Sequence, residues 1–337
     1  MKHFAYMLLL CIVSIVGYGQ DIHFSEFYAS PINLNPALTG QFDGSLRAGM
    51  SYRDQYRAVA SPYQTLSVFA DFRENGMNGR KNSFGYGLIL NADIAGDAGM
   101  GTYQVGLPFA LHFALTSTDI LSLGAVPSLN ILTIRSEDLR YGDQFGGFMY
   151  NKESVSAETG NLGSPLYFSL AAGINYTKRI STRATASAGI SAYNINSPNQ
   201  SLYENATTEL PRRFAFHGLY RFAIGDAMDI VPLAKFAMQS THRQLMFGGQ
   251  IYQYLPQLNV RSINYGISFR ALDYDAVIAN FGFVYYLFYV GFNYDFNLSK
   301  LSEVSNNRGA FEMHTILYFD KSKLQKKRQS VSCPANF

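Results

Sequence analysis

The sequence predicts an all-β protein, a transmembrane outer-membrane β-barrel of about fourteen antiparallel strands. Three observations lead to this prediction: alternating segments, an export signal, and a composition that suits lipid-facing strands. A strand places successive side chains on opposite faces, so one face can be apolar and the other polar. The clearest alternation runs from 286 to 297, where Tyr286, Phe288, Val290, Phe292, Tyr294 and Phe296 oppose Leu287, Tyr289, Gly291, Asn293, Asp295 and Asn297.

Residues 1–19 have the pattern of a cleavable signal peptide. Lys2 and His3 give a basic start, and residues 7–16 form an apolar core too short to cross a bilayer as a helix. Small residues follow at the predicted cleavage site, so the mature protein is predicted to begin at Gln20. Cys11 lies in the apolar core and is expected to leave with the signal.

The composition favours a membrane barrel over an ordinary soluble domain. Charged residues make up 15% of the chain, against about 25% in a typical soluble domain. Aromatic residues also reach 15%, almost all Tyr and Phe, which suits lipid-facing strands with aromatic girdles. The net charge of +3 is too small to indicate a nucleic-acid partner. A secreted β-sandwich array shares part of this composition, so composition alone does not decide.

Residues 20–45 form a pre-barrel segment, predicted to lie on the periplasmic side or to plug the lumen. Its Ser-Pro and Asn-Pro pairs are turn signals, and two prolines argue against a long regular strand. The segment either packs beneath the barrel or enters it. The favoured arrangement is the plug, in which the lumen is filled by Phe24, Phe27, Tyr28 and the turn at Asn35-Pro36.

Residues 46–320 form the predicted barrel. Clean alternation occurs in 102–115, 165–177 and 262–271, in addition to the segment that ends at 297. Weaker patterns occur at 46–57, 63–73, 83–95, 119–135, 183–196, 212–223, 244–256 and 308–320. The segment 227–239 matches a strand poorly, and 274–298 has no clear turn between its two predicted strands. The predicted strand count therefore has a margin of one or two.

Loop lengths predict the orientation of the barrel. Outer-membrane barrels have short periplasmic turns and long external loops. If the first strand leaves the periplasm at about residue 46, the long connections near 136–164, 197–211 and 299–308 all fall outside. The short turns at 116–118, 178–181 and 225–226 then fall in the periplasm, and the longer turn at 74–82 is the exception.

Charged residues within the predicted strands are expected to face the lumen or to lie at strand ends. On the lipid face, Arg or Lys at the midplane costs about 2–4 kcal/mol. Arg53, Arg221 and Arg270 have the inward parity, and the same expectation covers Arg57, Asp71, Arg73 and Lys235.

Residues 321–337 form a basic C-terminal tail predicted to lie in the periplasm. It carries Lys326, Lys327 and Arg328, and its Cys333 is the only cysteine of the mature chain. The basic run is either a solvated tail or a docking segment for an acidic or envelope-bound partner. Cys333 is either an inert thiol or a link to a partner, since one cysteine forms no internal disulfide.

The search for catalytic chemistry predicts no enzyme, metal or cofactor. The histidines of the mature chain are not paired at metal-ligand spacing, and no Gly-x-Ser-x-Gly motif marks a nucleophile. His112 and His217 lie in predicted strands and are expected to have structural or lumen-facing roles. Residues 96–101 loosely resemble a phosphate loop but lack its Lys-Ser/Thr, so a hairpin turn is predicted there.

Two parts of the chain resemble the PorP/SprF family of type IX secretion and gliding-motility outer-membrane proteins from Bacteroidota. The first part begins with Gln20-Asp21 and continues through 23–28 and 33–40, which include Asn33, Asn35 and Pro36. It ends with Tyr52, Arg53, Gln55 and Tyr56 in the first strand, where the family often has Trp in place of Tyr56. The second part is residues 309–314 with the terminal Cys-Pro, and there Phe311 replaces a frequent His.

The resemblance implies a non-enzymatic barrel that works with the type IX machinery. The implied partners are type IX secretion components, a peptidoglycan-binding envelope lipoprotein, a secreted adhesin or other cargo, and outer-membrane lipid. The expected function is to assist secretion, or to anchor a surface protein, through protein–protein contacts. The alternatives are a diffusion channel or solute transporter, and a secreted β-rich adhesin.

Overall fold

The computed structural model describes residues 22–55, 57, 62–75, 82–96, 98–135, 139–146, 149–151, 154, 156, 163–203, 206–255, 260–272, 276–298 and 308–319. The predicted signal peptide, the basic tail and Tyr56 lie outside the described residues.

Within these ranges the chain forms a closed barrel of fourteen antiparallel strands, which confirms the predicted fold class. The strands are β1 (Leu46–Gln55), β2 (Tyr63–Asn75), β3 (Ser83–Ala95), β4 (Met100–Gly106 and Phe109–Ala114), β5 (Asp119–Thr133), β6 (Leu166–Ser181), β7 (Ala184–Tyr193), β8 (Arg213–Ile224), β9 (Met228–Gln239), β10 (His242–Tyr254), β11 (Val260–Ala271), β12 (Ala276–Tyr285), β13 (Phe288–Asn297) and β14 (Arg308–Phe319). Each strand pairs with its neighbours in sequence, and β1 also pairs with β14. Closure leaves no unpaired sheet edge, as a membrane barrel requires.

The predicted alternation places apolar side chains outside and polar side chains inside. In β13, Phe288 and Phe296 are exposed on the outer surface, whereas Asn293 and Asp295 are buried in the lumen. The strand begins at Phe288 rather than at 286, so the prediction of a strand from 286 is wrong at its start. Tyr286 adopts a φ of 51° and forms the turn from β12 together with Leu287.

Two other strands differ from their sequence patterns. β4 is interrupted at Leu107-Pro108, because Pro108 has no N–H to donate to the ladder. The carbonyl of Pro108 still accepts from the N–H of Gly87 at 2.9 Å, so the two halves together occupy one strand position in the barrel wall. The poorly matching segment 227–239 is a full strand, Met228–Gln239, because it pairs with β8 and β10 along most of its length.

Loop lengths follow the predicted orientation. The long connections 134–165, 194–212 and 298–307 join strands at one end of the barrel, which we call the outer end. Short turns at 115–118, 182–183, 225–227 and 286–287 lie at the opposite, periplasmic end, where β1 starts and β14 finishes. The turn predicted at 74–82 is long for the periplasmic side, and its residues 76–81 lie outside the described residues.

The pre-barrel segment packs against side chains that face into the barrel. Its chain forms three short helical pieces, Phe27–Ala29, Pro31–Leu34 and Pro36–Leu38, and prolines begin the last two, where a missing N–H costs least. Its residues pack against inward-facing side chains from strands on opposite sides of the wall. Among the described residues, no helix has the length and apolar character needed to span a bilayer.

Candidate functional site

The lumenal segment, residues 22–42, is the longest nearly continuous run of buried residues within the described parts of the chain. It begins at Ile22, near the outer end, reaches the periplasmic end at Ala29, returns to the level of Ile22 at Asn33, and ends at Phe42, near the periplasmic end. We divide it into an outer arm, residues 22–29, and an inner arm, residues 35–42. The predicted plug residues Phe24, Phe27, Tyr28, Asn35 and Pro36 are all buried within it, and Asn33 is half-buried.

The outer arm is held by its main chain. The backbone N–H of Ser25 donates to both carboxylate oxygens of Glu312, at 2.8 and 3.0 Å. The next N–H, that of Glu26, donates to Glu312 Oε2 at 3.1 Å. Hydrogen bonds to a charged acceptor are the stronger kind, and these two donors would otherwise be buried without partners.

A network of ion pairs within the wall surrounds this anchor. Arg53 on β1 donates to Glu312 on β14 and to Asp295 Oδ2 on β13, the latter at 3.2 Å. Arg270 on β11 pairs with the same oxygen of Asp295 at 2.6 Å. The Ser25 hydroxyl lies among these groups and accepts from Arg53 Nη1 at 2.7 Å. The predicted inward orientation of Arg53 and Arg270 is therefore confirmed.

Glu26 buries a carboxylate in the outer arm. Its Oε1 accepts from the hydroxyl of Tyr289, and the hydroxyl of Tyr28 also interacts with the carboxylate. Oε2 lies 3.9 Å from His314 Nε2. A Cβ at Gly291 would lie 2.9 and 3.0 Å from the two carboxylate oxygens. Burial disfavours the charged form, so the pKa of Glu26 is raised above its ordinary value.

The aromatic residues of the outer arm pack against inward-facing side chains at several depths of the wall. Phe24 makes an edge contact with the His314 ring, with centroids 5.7 Å apart. The ammonium of Lys235 lies 5.8 Å from the centroid of Phe27, and Gln250 donates to the hydroxyl of Tyr28. Phe27 and Tyr28 pack with the inward apolar residues Leu233, Met246 and Ile278.

The middle of the segment is fastened to β7 and β8. Arg213 donates to the carbonyl of Ile22 at 2.6 Å and to that of Asn33 at 3.3 Å. Its guanidinium lies 4.2 Å from the ring centroid of Tyr193, whose hydroxyl donates to the carbonyl of Ile32 at 3.1 Å. These contacts tie the outer end of the arm to the helical turn that follows it.

Asn35 fixes the start of the inner arm. Its Nδ2 donates to the carbonyls of Ile174 at 3.0 Å and Ile190 at 3.3 Å, and lies 3.1 Å from His217 Nε2. Its Oδ1 accepts from the N–H of Ala37 at 2.9 Å and so caps the helical turn that begins at Pro36. The inward position expected for His217 is confirmed.

Wall glycines make room for the inner arm. A Cβ at Gly85 would lie 2.1 Å from the carbonyl oxygen of Thr39, and one at Gly124 would lie 2.4 Å from that of Pro36. A Cβ at Gly173 would lie 1.9 Å from Asn35 Oδ1, and one at Gly189 would lie 2.6 Å from Asn35 Nδ2. We call these four residues the glycine cradle. At Gly85 and Gly124 the neighbouring atoms are backbone, and at the other two they belong to Asn35, so a side chain at any of the four would collide with the inner arm.

The inner arm carries no ionisable side chain. The carbonyl of Thr39 lies 2.8 Å from His112 Nε2, and the Gly40 N–H donates to Asp71 Oδ2 at 2.7 Å. Arg47 pairs with the same Asp71 oxygen at 2.6 Å and donates to the carbonyl of Leu38 at 3.0 Å. The wall again binds the main chain of the segment.

Not every predicted site residue belongs to this cluster. Tyr52 has the outward parity of β1, and its hydroxyl donates to Asp54 at 3.2 Å and accepts from Gln64 at 3.0 Å. Gln55 accepts from Arg53 Nε at 3.2 Å and so touches the network at its edge. The tail residues Lys326, Lys327, Arg328 and Cys333 lie outside the described residues, so their docking role stays a prediction.

The wall partners of the segment were not predicted from the sequence. Asp295 was predicted only as part of a polar face, and Glu312 and His314 only as part of a family-like run. All three have inward parity, and Asp295 and Glu312 also stand next to aromatic residues of outward parity, so a signal was present. The glycine cradle also had a signal, because its members alternate with apolar residues in β3, β5, β6 and β7.

Comparisons with known structures agree with the barrel fold. The chain is 10% identical to a structure described as the CymD monoaromatic hydrocarbon channel, with a TM-score of 0.52, over 90% of this chain and 95% of that one. It is also 10% identical to a Pseudomonas aeruginosa FadL homologue, with a TM-score of 0.49, over 85% and 93% of the two chains. At this identity the likeness concerns the fold alone. No curated protein matches the chain.

The family comparison is more specific. A family model described as type IX secretion system membrane protein PorP/SprF matches residues 16–316. The match covers the lumenal segment and nearly all of the barrel, so it confirms the family resemblance, and the terminal Cys-Pro lies beyond the matched residues. The chain is an outer-membrane β-barrel, and it belongs to the PorP/SprF family of type IX secretion system membrane proteins.

Proposed function

We propose that this barrel acts as a closed docking protein of type IX secretion, which assists the export or surface anchoring of a secreted protein through protein–protein contacts. The observation that carries the proposal is the lumenal segment, which occupies the barrel from its outer end to its periplasmic end. A protein whose lumen is filled by its own chain is better suited to hold partners than to pass solutes.

The fit of the segment supports a closed state. Cavities of about 10 and 30 Å³ adjoin it. Each buried water needs about 10–15 Å³, so the larger cavity accommodates two or three waters. The glycine cradle leaves the inner arm no space to shift sideways. A diffusion channel would need a continuous path past these contacts.

The outer loops offer a surface for a secreted protein. Gly163, in the connection before β6, donates to the carbonyl of Leu202, in the connection before β8, at 2.7 Å. The joined loops expose Phe145, Met149 and Tyr203, of which Met149 is 78% exposed. Exposed apolar side chains beyond the membrane wall favour contact with another protein.

The periplasmic end offers the second contact in this proposal. Membership of the family implies interaction with other components of the secretion system. We propose that a peptidoglycan-binding envelope lipoprotein is the periplasmic partner, and that the basic tail with Lys326, Lys327 and Arg328 contributes to that contact. Cargo on the outside and a scaffold on the inside would make the barrel an anchor.

The test is deletion of the gene followed by mass spectrometry of the culture medium and the cell surface. We expect one or a few secreted proteins to be lost from the surface, and wild-type complementation to restore them. Affinity purification of the detergent-solubilised barrel should recover a secreted protein or an envelope lipoprotein, with an unrelated barrel as the control. An unchanged surface proteome together with sustained conductance in planar bilayers would instead support the diffusion channel.

A further inference from the structure

We propose that the lumen holds a binding site for a small monovalent anion of the halide class, formed by Lys235 on β9, His217 on β8 and Arg270 on β11. The inference goes beyond the proposed docking function and does not depend on it. It rests on a buried ammonium without a counter-charge, on two further hydrogen-bond donors near it, and on the charge balance of the surrounding network.

Lys235 is a buried cation without an ion pair. Its side chain faces the lumen and is 6% exposed, and no hydrogen bond or salt bridge joins it to another of the residues that the structure describes. Its ammonium lies 5.8 Å from the ring centroid of Phe27. A cation–π contact offsets only part of the cost of removing an ammonium from water. An ammonium in this position either gives up its proton or recruits an anion.

The fixed charges around Lys235 are mostly positive. Three guanidinium groups repel its ammonium, those of Arg53, Arg213 and Arg270. Glu312 attracts the ammonium, but Glu312 is already paired with Arg53. The carboxylate of Asp295 is shared by Arg53 and Arg270. Two carboxylates therefore face three cations, Arg53, Arg270 and Lys235, and one positive charge of this network is unbalanced.

His217 supplies a second donor next to Lys235. The two residues are direct cross-strand neighbours on β8 and β9, and the Cβ atoms of such a pair are about 4.5–5.5 Å apart. The Asn35 amide is oriented by its Oδ1, which accepts from Ala37, so its amino group faces His217 Nε2 at 3.1 Å. Nε2 is then the acceptor, and the proton of the uncharged ring belongs on Nδ1. That N–H has no hydrogen-bond partner within the described part of the chain.

Arg270 adds a third donor at the same level of the wall. Lys235 pairs with Met246, and Met246 pairs with Arg270, so the three residues form one row across β9, β10 and β11. Arg270 Nη2 binds Asp295 and Ser25, but its buried Nε has no hydrogen-bond partner in the described ranges. Buried donors are normally satisfied by protein, by water or by an ion.

The donors and the charge specify the ligand. All three groups donate, so the ligand must accept hydrogen bonds, and one unbalanced positive charge calls for one negative charge. Water accepts hydrogen bonds but leaves that charge unbalanced. Lys235 keeps 6% of its surface accessible in a lumen where the cavities beside the segment hold only a few waters, so the ligand is of similar size to water. Chloride meets these requirements.

The first experiment compares two salts. The urea midpoint of the full-length barrel in detergent is measured in sodium chloride and in sodium gluconate at equal ionic strength. We expect a higher midpoint in chloride, which rises with the logarithm of the chloride concentration above its dissociation constant. Equal midpoints of the wild-type protein in the two salts would overturn the proposal and would mean that Lys235 is buried as the neutral amine.

Two lysine variants separate the site from general effects of salt. Lys235→Met removes the ammonium and should abolish the difference between chloride and gluconate. Lys178→Met is the matched control, because the Lys178 side chain is 53% exposed, and this variant should keep the difference. A difference that persists in Lys235→Met would also overturn the site.

Bromide diffraction tests the site without a substitution, and it covers the case in which Lys235→Met does not fold. Crystals of the wild-type protein are soaked in sodium bromide, and we expect an anomalous peak in contact with Lys235 Nζ and His217 Nδ1. Peaks confined to the outer surface of the protein would contradict the proposal. A peak beside Lys235 without a chloride effect on the urea midpoint would mean binding at crystal concentration only, and would overturn a site that is occupied in solution.

These readouts use the purified barrel and do not depend on secretion. If chloride stabilises the barrel but no secreted protein is lost on deletion of the gene, the proposed function fails while the anion site stands. The reverse result would remove the anion site and leave the docking function in place.

Discussion

Both arms of the lumenal segment are largely buried and both are held by buried ion pairs, but only the inner arm also rests on a row of glycines. The outer arm binds a network of Glu312, Arg53 and Asp295 around Ser25. The inner arm binds the single pair of Arg47 and Asp71, and four wall glycines leave no room for side chains beside it. The comparison teaches that charge and shape can hold two parts of one segment in the same lumen.

The largest expected effect comes from removing the central cation. Arg53→Ala leaves Glu312 and Asp295 buried with one partner fewer, which should destabilise the barrel by about 3–5 kcal/mol. Urea unfolding in detergent measures the change. Arg57→Ala is the control, because Arg57 is exposed and a surface pair such as Arg57 with Asp54 contributes little to stability. If the two variants lost equal amounts of stability, the buried ion pairs of Arg53 would not be specifically stabilising.

The matching test of the inner arm is overpacking of its cradle. Gly85→Ala places a Cβ against the backbone of Thr39 and should cost about 3 kcal/mol or prevent assembly, measured by heat-modifiable mobility and urea unfolding. Gly218→Ala is the matched control, because no atom lies within 4 Å of its added Cβ. A stable Gly85→Ala barrel would show that the inner arm shifts more easily than its contacts indicate.

A smaller loss is expected from the cap of the inner arm. Asn35→Ala removes the hydrogen bonds to the carbonyls of Ile174 and Ile190 and leaves the N–H of Ala37 without its acceptor. Each buried polar group left unpaired costs about 1–3 kcal/mol. Asn33→Ala is the comparison, since Asn33 is only half-buried and its loss should be smaller. The same unfolding assay measures both, and the reverse order would contradict the assigned role of Asn35.

The smallest effect concerns pH and the outer arm. Burial raises the pKa of Glu26, so its protonated form is favoured in the folded barrel. That contribution to stability is present at low pH and is lost as pH rises through the raised pKa, with a slope of at most about 1.4 kcal/mol per pH unit. The groups facing this carboxyl are Tyr28, Tyr289, Glu312, His314 and, further away, Arg53.

Glu26→Gln should flatten this pH dependence of stability, because the amide does not titrate. The measurement is the urea midpoint of both proteins across pH. Glu74→Gln, at an exposed position, should leave the slope unchanged. A slope that persists in Glu26→Gln would assign the titration to another group.

The wall of the barrel was predictable because its signal is local. Alternation with a period of two is visible in one strand, and it placed Arg53, Arg221 and Arg270 inward, where they are buried. The prediction failed at 286–287, because the alternation of apolar and polar side chains continues through this tight turn and hides the end of the strand. The alternation also predicted only a poor strand at 227–239. This segment forms a full strand because it pairs with β8 and β10.

The site was only partly predictable, because its contacts are not local. The sequence placed Phe24, Phe27 and Tyr28 in the lumen, but Ser25 and its anchor Glu312 are 287 residues apart. Grouping Tyr52 with Arg53 as one motif overlooked parity, since neighbours in a strand face opposite sides. The four glycines of the cradle lie where the segment approaches the wall. The path of the segment cannot be predicted from the pattern of a single strand.

Arg53 and Glu312 are also direct cross-strand neighbours at the junction of β1 and β14. The seat of Ser25 is therefore incomplete until the first and last strands of the chain meet. The N-terminal segment therefore reaches its full set of contacts only in the sealed cylinder, so the stability of the closing seam and that of the segment are linked.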